Sequence, residues 1–336
     1  MNVLHKQQKT ILIASSSLDA PTWGPLAEDL TQRGYDVVAY EADKVASSET
    51  ALAIHVDERQ GINVCYNDRQ LALDGVTAAW WRRPGTFAQD QIEWAKQLNL
   101  NEERRAMQAA LWTMVPENAW LNTPERIRRA EIKIGQLLVA REVGFTIPQT
   151  VISNRWDAIR ASLPDDIILK MSAGILYGTV ATDAIQVLYT TRLANDPAKL
   201  PMEYNPFPGY WQPYLEKSRE WRITVIGDTT FDVAIYTAED AKDDWRSQQG
   251  DASKVTFKRD SFPDEQRDKC FEFLGRQGLK FGAFDFIEDH DGKITFLECN
   301  PNGQYGWLES LLGLPISRAV GSELARIAEA NAAIAK

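Results

Sequence analysis

Two acidic residues and an asparagine near the end of the chain have the types and spacing of a metal site. Residues 281–288 read FGAFDFIE and residues 294–300 read ITFLECN, and Asp289-His290-Asp291-Gly292 between them is typical of a turn. This pattern predicts an antiparallel hairpin, in which alternate residues share a face. We therefore expect one face to carry two sets of residues, namely Ala283, Asp285 and Ile287, and Phe296, Glu298 and Asn300.

The predicted register places Asp285 opposite Glu298, and this pair has two interpretations. Carboxylate and amide oxygens are hard ligands that suit Mg²⁺, and a bridging Glu298 can hold two such ions about 3.5 to 4 Å apart. The alternative is an ordinary hairpin with solvated acids. The metal interpretation is favoured because apolar residues flank the acids: Phe284, Phe286, Phe296 and Leu297.

Several cationic residues are candidates for binding phosphate. Lys170 ends the apolar run of residues 167–169, and the loop after it carries Gly174 and Gly178, which allow backbone N–H groups to approach a phosphate. Taken singly, Lys170 is equally typical of a surface lysine. Lys133 is typical of the polar face of an amphipathic helix, and Arg222 and Arg246 lie beside tryptophans on which arginine often stacks.

The N-terminal segment has the order of elements that opens a parallel sheet. A buried strand at 10–16, a helix from about Pro21 to Arg33 and a strand at 35–40 predict a βαβ unit. The Ser15-Ser16-Ser17 turn lacks the GxGxxG spacing, so a dinucleotide site is not supported. A hairpin around Asn67-Asp68 and a strand entering TAAWWRRP follow.

The remainder of the chain is predicted to change from helices to antiparallel strands. A helical region runs from about Gln89 to Met114, and a second begins with Thr123 as N-cap and Pro124 at the first helical position. After Gly144, strands alternate with turns, including a hairpin at Gly227-Asp228. A helix at 263–277 precedes the acidic hairpin, and a Leu- and Ala-rich helical end follows it.

Composition narrows the class of protein. The 336 residues are 44% hydrophobic and 25% charged, which is typical of a globular protein with two or three domains. The net charge of −10 disfavours nucleic acid as a partner. Because no signal-peptide core or membrane-length apolar run is visible, we expect a cytoplasmic protein without membrane association. Three cysteines without CxxC spacing and three histidines favour neither disulfides nor a zinc site.

The order of these features along the chain resembles a known superfamily. Lys133, Lys170 with its glycine-containing loop, WQPYLE, EWR, an Arg-bearing loop and FDF…FLECNPNG together resemble the ATP-grasp ligases over residues 120–315. Within that superfamily, WWRRP, DWRS and ECNPNGQYGWLE resemble the graspetide (microviridin-type) maturases, which crosslink ribosomally made peptides.

The resemblance implies an α/β (α+β) fold of three parts, with ATP between the last two. They are an N-terminal βαβ-type domain over 1–120, a central ATP-grasp subdomain over 121–212, and a C-terminal antiparallel-sheet subdomain over 213–336. The implied ligands are ATP, Mg²⁺ and a precursor peptide with a leader and an acidic core, and the implied assembly is a homodimer.

The resemblance also implies a role for each candidate residue. Lys133 and Lys170 contact the nucleotide phosphates, Gly174 belongs to the phosphate loop, and Glu220 binds the ribose. The hinge against adenine comprises Gln212, Pro213, Tyr214, Leu215 and Glu216, and because Pro213 has no N–H, any hinge donor comes from Tyr214 or Leu215. Arg222 and Arg246 act on the transferred phosphate, and Asp285, Glu298 and Asn300 bind magnesium.

Three functions are compatible with this reading. The first is a maturase that activates Asp or Glu side chains as acyl phosphates and forms intramolecular esters or amides. The second is an ATP-grasp ligase that joins an amino acid or amine to a peptide or small carboxylate. The third is a peptide-binding protein that keeps the fold without catalysis. Cys299 is predicted to pack on the face opposite Glu298, so no covalent nucleophile is indicated.

Overall fold

The computed structural model describes residues 9–58, 61–84, 94–170, 176–178, 185–187, 191–192, 208–238 and 254–334. Two predicted site residues, Gly174 and Arg246, lie outside these ranges. The strands in the described ranges are β1 Thr10–Ser15, β2 Asp36–Glu41, β3 Leu52–Asp57, β4 Gly61–Tyr66, β5 Arg69–Leu71, β6 Val76–Trp81, β7 Val151–Ser153, β8 Ile167–Lys170, β9 Leu176–Gly178, β10 Ile185–Val187, β11 Thr191–Arg192, β12 Gly209–Pro213, β13 Arg219–Ile226, β14 Thr229–Thr237, β15 Val255–Arg259, β16 Phe281–Glu288 and β17 Ile294–Asn300.

The α-helices of the same ranges are α1 Ala20–Gln32, α2 Ala42–Ala46, α3 Trp94–Thr113, α4 Pro124–Ala130, α5 Lys133–Glu142, α6 Trp156–Ser162, α7 Asp264–Gln277, α8 Gly306–Leu312 and α9 Ile316–Ile334. None of the described helices is both long and apolar enough to cross a membrane.

The N-terminal part is built on a parallel sheet of order β2-β1-β6, as the βαβ pattern predicts. One face of this sheet packs on α1 and α9, and the other face contributes to a second core with α3 and the antiparallel sheet β3-β4-β5. The hairpin β4-β5 turns at Asn67 and Asp68, whose φ angles of 48° and 60° are those that a two-residue hairpin turn requires. Strand β3 was not predicted from the sequence.

The central part contains the antiparallel sheet β11-β8-β12-β7, and the C-terminal part contains the sheet β15-β14-β13-β16-β17. The C-terminal sheet has one apolar face, which packs against α5 and α7 through a cluster of aromatic side chains. Phe284, Phe286 and Phe296 have no exposed surface. Burying each such ring contributes about 1.5 to 3 kcal/mol, so this cluster fixes the position of the strands that carry the acids.

The hairpin β16-β17 forms as predicted, but one face assignment was wrong. Asp285 pairs with Glu298, whereas Phe286 pairs with Phe296, so Leu297 is an extra residue on β17. This β-bulge reverses the alternation. Phe296 therefore points into the aromatic core, opposite to Glu298 rather than beside it.

The second helical region starts as predicted and then breaks. Thr123 Oγ1 accepts a hydrogen bond from the Arg126 N–H at 3.2 Å and caps α4. At Ile132 the backbone is extended, with ψ of 106°, so α4 and α5 are separate helices and Lys133 begins the second one. The sequence did not predict this break, which makes Lys133 the first residue of α5, the helix that Gln136 attaches to β17.

Candidate active site

The polar face of the C-terminal sheet brings together five of the predicted site residues. Arg222 on β13 pairs with Asp285 on β16, which in turn pairs with Glu298 on β17. Asn300 lies two residues beyond Glu298, and Lys133 reaches the same face from the start of α5. The register predicted from the turn is therefore confirmed for Asp285 and Glu298, and β13 extends the row by one cation.

Each charge in this row has an opposite charge beside it. Arg222 Nη1 donates to both carboxylate oxygens of Asp285, at 2.8 and 3.0 Å, and both residues are 7% exposed. Lys133 Nζ donates to Glu298 Oε2 at 2.9 Å. Hydrogen bonds between ionised groups are the strongest polar contacts in proteins, so the row is fixed in position before any ligand binds.

Two side chains hold the backbone around this row. Gln136, on α5, accepts a hydrogen bond from the Cys299 N–H at 2.9 Å and donates to the Cys299 carbonyl at 2.8 Å. It thereby attaches α5 to the outer edge of β17, and Lys133 lies three residues before it on the same helix. Asn122 donates to the carbonyls of Phe281 and Pro301 at 2.8 and 2.9 Å, which joins the start of β16 to the loop after β17.

The loop after Asn300 packs closely over the row. The Gln304 carbonyl accepts from Arg222 Nη2 at 3.2 Å. A Cβ on Gly303 would lie 2.6 Å from Ala283 Cβ and 3.1 Å from Arg222 Nη2, so the loop approaches the sheet as only glycine permits. The Nε of Arg222 is buried and has no hydrogen-bond partner among the residues that the structure describes.

The donor set of this row suits a hard divalent cation with few protein ligands. Within the described ranges, no group of three or more His, Cys, Asp or Glu residues converges on a common point. Asp285 and Glu298 can offer two carboxylates to a cation. Two protein ligands are enough for Mg²⁺, because this ion completes its coordination shell with water and phosphate. Asn300 turns its amide nitrogen to both acids, at 3.4 Å each, so its oxygen becomes a ligand only if the amide rotates.

The predicted nucleotide residues lie on the central sheet and at the start of β13. The Gln212 side chain is buried and donates to Thr150 Oγ1 at 2.9 Å. The Tyr214 N–H donates to the Asp166 carbonyl at 2.9 Å, so of the two hinge donors predicted beside Pro213 this one is already used. Lys170 ends β8, where it pairs with Tyr210. Gln212 and Lys170 thus belong to a different sheet from the acidic row, whereas Glu220 lies on β13 of the same sheet.

Lys217, which the sequence analysis did not single out, pairs with the predicted ribose residue Glu220. Its Nζ donates to Glu220 Oε1 at 2.6 Å, and Lys217 and Glu220 are only 5% and 8% exposed. Glu220 lies two residues before Arg222 on β13 and shares its face of the sheet. The sequence could have indicated this pair, because a lysine and a glutamate lie three residues apart where β13 begins.

The two cysteines near the site are unsuited to nucleophilic catalysis. Cys299 is 2% exposed and Cys270 is fully buried. Burial raises the pKa of both thiols well above the ordinary value. Because the thiolate is the nucleophilic form, these residues act as small core side chains, as predicted for Cys299.

The architecture and the position of the acidic row define the class of fold, which is that of the ATP-grasp ligases. Comparison with solved structures supports this class over nearly the whole chain. A scan of protein-family models finds no match, and neither does a search of curated proteins.

Several solved structures to which the chain is similar are ATP-grasp ligases or macrocyclases. A Chryseobacterium gregarium RiPP-associated ATP-grasp ligase, in complex with ADP and a leader and core peptide, aligns with a TM-score of 0.83, 22% identity, and 95% of this chain and 97% of that chain covered. The macrocyclase MdnC of Microcystis aeruginosa MRC, bound with the precursor peptide MdnA, gives 0.79, 24%, 94% and 99%. The macrocyclase MdnB of the same organism gives 0.76, 25%, 94% and 99%.

Proposed function

We propose that this protein is an ATP-dependent ligase that crosslinks a ribosomally made precursor peptide. It phosphorylates Asp or Glu side chains of the peptide and forms intramolecular esters or amides from them. The observation that carries the proposal is the row Lys133–Glu298–Asp285–Arg222, a compensated set of charges on a rigid sheet in an ATP-grasp fold. The peptide ligands and the ADP named for the similar structures support the same substrate class.

Charge compensation is the main task of such a site, because ATP and the substrate carboxylate are both anions. Mg²⁺, held by Asp285 and Glu298, would supply the positive charge that screens the phosphates. With the cation bound, Lys133 would be available to a phosphate oxygen. Lys170 is assigned to the phosphates from the central sheet, and Arg222, which bonds to Asp285, is assigned to the transferred phosphate.

The proposed reaction has two steps. A carboxylate oxygen of the peptide attacks the γ-phosphorus of ATP in line, and ADP leaves, which gives an acyl phosphate. A hydroxyl or amine of the same peptide then attacks the acyl carbon, loses its proton, and releases inorganic phosphate. Because both groups belong to one bound peptide, proximity replaces a second binding event.

The remaining assignments form part of the same proposal. Glu220 binds the ribose, the segment from Gln212 to Glu216 contacts adenine, and Gly174 and Arg246 act from segments outside the described residues. The protein is a cytoplasmic homodimer that binds neither nucleic acid nor membrane. The division into parts 1–120, 121–212 and 213–336 is likewise proposed.

The test begins with a search beside the gene for a short reading frame rich in Asp or Glu with Thr, Ser or Lys, and uses the candidate precursor peptide that it encodes. Incubated with ATP, Mg²⁺ and this peptide alone, the protein should lower the peptide mass by one water per link and release one ADP and one phosphate each time. Tandem mass spectrometry should place each link between an Asp or Glu and a Ser, Thr or Lys side chain.

Other outcomes identify the competing functions. If the peptide gains the mass of an added amino acid or amine, the protein is an intermolecular ligase. If the peptide binds but its mass does not change and no ADP forms, the protein is a binding protein that keeps the fold without catalysis.

A further inference from the structure

The cations nearest to the acidic row are already occupied. Arg222 bonds to Asp285 and to the Gln304 carbonyl, and Lys133 bonds to Glu298. Once a divalent cation and ATP are present, these residues face phosphate. An incoming peptide carboxylate therefore needs a further cation at the edge of the site.

Arg83 lies beside the loop that covers the acidic row. It follows β6, and its φ of 52° is in the left-handed region, which is unusual for a residue with a long side chain. With the Asn302 amide oriented to satisfy both of its partners, its nitrogen donates to the Trp81 carbonyl and its oxygen accepts from the Arg83 N–H, each at 3.2 Å. Asn302 is two residues beyond Asn300, so the metal-binding strand and Arg83 are held in one unit.

The two adjacent arginines of the WWRRP segment have different surroundings. Arg82 is 1% exposed and its Nε donates to Asp19 at 2.7 Å. The Arg83 side chain is exposed, and throughout the described ranges its guanidinium makes no hydrogen bond or ion pair. Backbone strain persists at a functional site when the surrounding structure imposes it. At Arg83 the strained backbone directs an unpaired guanidinium outwards.

Arg83 and Glu131 are close enough for the charge of each to act on the other. Desolvation by surrounding protein atoms, followed by the charge of Arg82, lowers the pKa of the Arg83 guanidinium, although its side chain stays exposed. Desolvation likewise raises the pKa of the Glu131 carboxyl. Glu131 directly follows α4 and lies two residues before Lys133, the residue that pairs with Glu298.

We propose that Arg83 binds an acidic side chain of the substrate peptide at this edge of the site and delivers its carboxylate to the acidic row. The proposal rests on the proposed function and adds a substrate-selecting residue to it. A guanidinium is suited to this task because its planar fork binds a carboxylate through two parallel hydrogen bonds. No hydrogen bond between Arg83 and Glu131 has to break before Arg83 binds the peptide carboxylate.

The test compares Arg83→Gln and Arg83→Lys with Arg155→Gln, which removes the same charge from an exposed site at the start of α6. Each variant is titrated with the candidate precursor peptide and with a form in which its core Asp and Glu residues are Asn and Gln. Binding is measured without nucleotide by fluorescence anisotropy, and KM and kcat are measured from ADP release. Circular dichroism checks that each variant is folded.

We expect Arg83→Gln to weaken binding of the acidic peptide and to raise its KM by about 10- to 100-fold, the scale of one charge-assisted hydrogen-bonded pair. Affinity for the amide form and for ATP should be unchanged, Arg83→Lys should restore part of the loss, and Arg155→Gln should have no effect. Equal weakening for both peptides, or a loss of ATP affinity instead, overturns the assignment.

The two proposals can fail separately. If the parent protein binds the acidic peptide through Arg83 without changing its mass, only the crosslinking function is overturned. If the parent protein crosslinks the peptide and Arg83→Gln does so with the same KM, only the role of Arg83 is overturned. If the parent protein neither binds nor changes the peptide, both are overturned.

Discussion

Lys133 and Asn300 both present positively polarised groups to Glu298, and both indicate why a carboxylate is placed there. Lys133 Nζ lies 2.9 Å from one of its oxygens, and the Asn300 amide nitrogen lies 3.4 Å from the other. The side chain keeps 16% of its surface exposed, so the pair with Lys133 can open to admit a cation. If this carboxylate served only to stabilise the fold, an ion pair with so much exposed surface would contribute little to stability.

Glu298→Gln should separate metal-dependent chemistry from folding. The amide keeps the shape of the side chain but removes the charge that a divalent cation requires, so we expect Mg²⁺-dependent ADP release to fall by about 100-fold or more while the melting temperature changes little. Glu125→Gln, an exposed change on α4, is the control. Crosslinking by the Glu298 variant at the parent rate would show that this carboxylate is structural.

The Lys217–Glu220 pair is the opposite case, because it is buried. Breaking a buried ion pair by removing one partner typically costs about 3 to 5 kcal/mol. We expect Lys217→Met to lower the free energy of unfolding by about 3 kcal/mol in urea denaturation. Lys293→Met, at an exposed turn, should have almost no effect. A Lys217 variant as stable as the parent would mean that the pair contributes little to stability.

At the scale of single elements, the bulge at Leu297 determines the geometry of the site. Without it, the alternation of β17 would place Phe296 beside Glu298 on the polar face. With it, Phe296 joins Phe145 and Phe286 in the core, with ring centroids 5.5 and 5.8 Å away. Strand β17 therefore carries a core aromatic residue, Phe296, and a site carboxylate, Glu298, only two residues apart.

Local signals in the sequence predicted much of this architecture. The Thr123 cap, the Asn67-Asp68 turn and the pairing of Asp285 with Glu298 all depend on neighbouring residues, and all three were predicted. The bulge at Leu297 could not be predicted, because it depends on how the Phe296 ring packs against helices distant in sequence. The break at Ile132 has the same origin, since no proline or glycine marks it.

The tight approach of Gly303 to the sheet provides a prediction at this scale. A methyl group on this residue would require the loop to move away from Ala283 and Arg222, and such overpacking costs about 1 to 3 kcal/mol. We expect Gly303→Ala to lower both stability and ADP release. Gly275→Ala is the matched control, because its Cβ would meet nothing within 4 Å and alanine favours the interior of α7 by about 0.5 to 1 kcal/mol.

At the scale of the whole molecule, segments far apart in sequence close one structure. Helix α9 packs on the N-terminal sheet, where Val320 and Leu324 share a core with Ile11 and Trp80. The candidate site therefore depends on packing between the beginning and the end of the chain. Composition and periodicity predicted the elements but not this packing between the two ends of the chain, because pairwise packing has no local signal.

Arg82 is the polar counterpart of that long-range packing. It is almost fully buried, its Nε donates to Asp19 at 2.7 Å, and its Nη1 donates to the Gly303 carbonyl at 3.0 Å. Its guanidinium also lies 5.7 and 5.2 Å from the ring centroids of Trp80 and Tyr305. One side chain thus joins the N-terminal sheet to the loop that covers the acidic row.

Arg82→Met should therefore affect the entire molecule, whereas Arg83→Gln should not. Methionine keeps much of the side-chain volume but removes every hydrogen bond and leaves Asp19 uncompensated, so we expect a loss of about 3 kcal/mol in the free energy of unfolding. The loss should appear as a shift of one cooperative transition, seen equally by tryptophan fluorescence and circular dichroism, because the contact joins both ends of the chain. Arg83→Gln should leave that transition unchanged, since its side chain has no partner to lose in the described structure. If the two variants had the same unfolding transition, the division of roles between these adjacent arginines would be contradicted. Two separate transitions would show that the N-terminal sheet unfolds independently of the site.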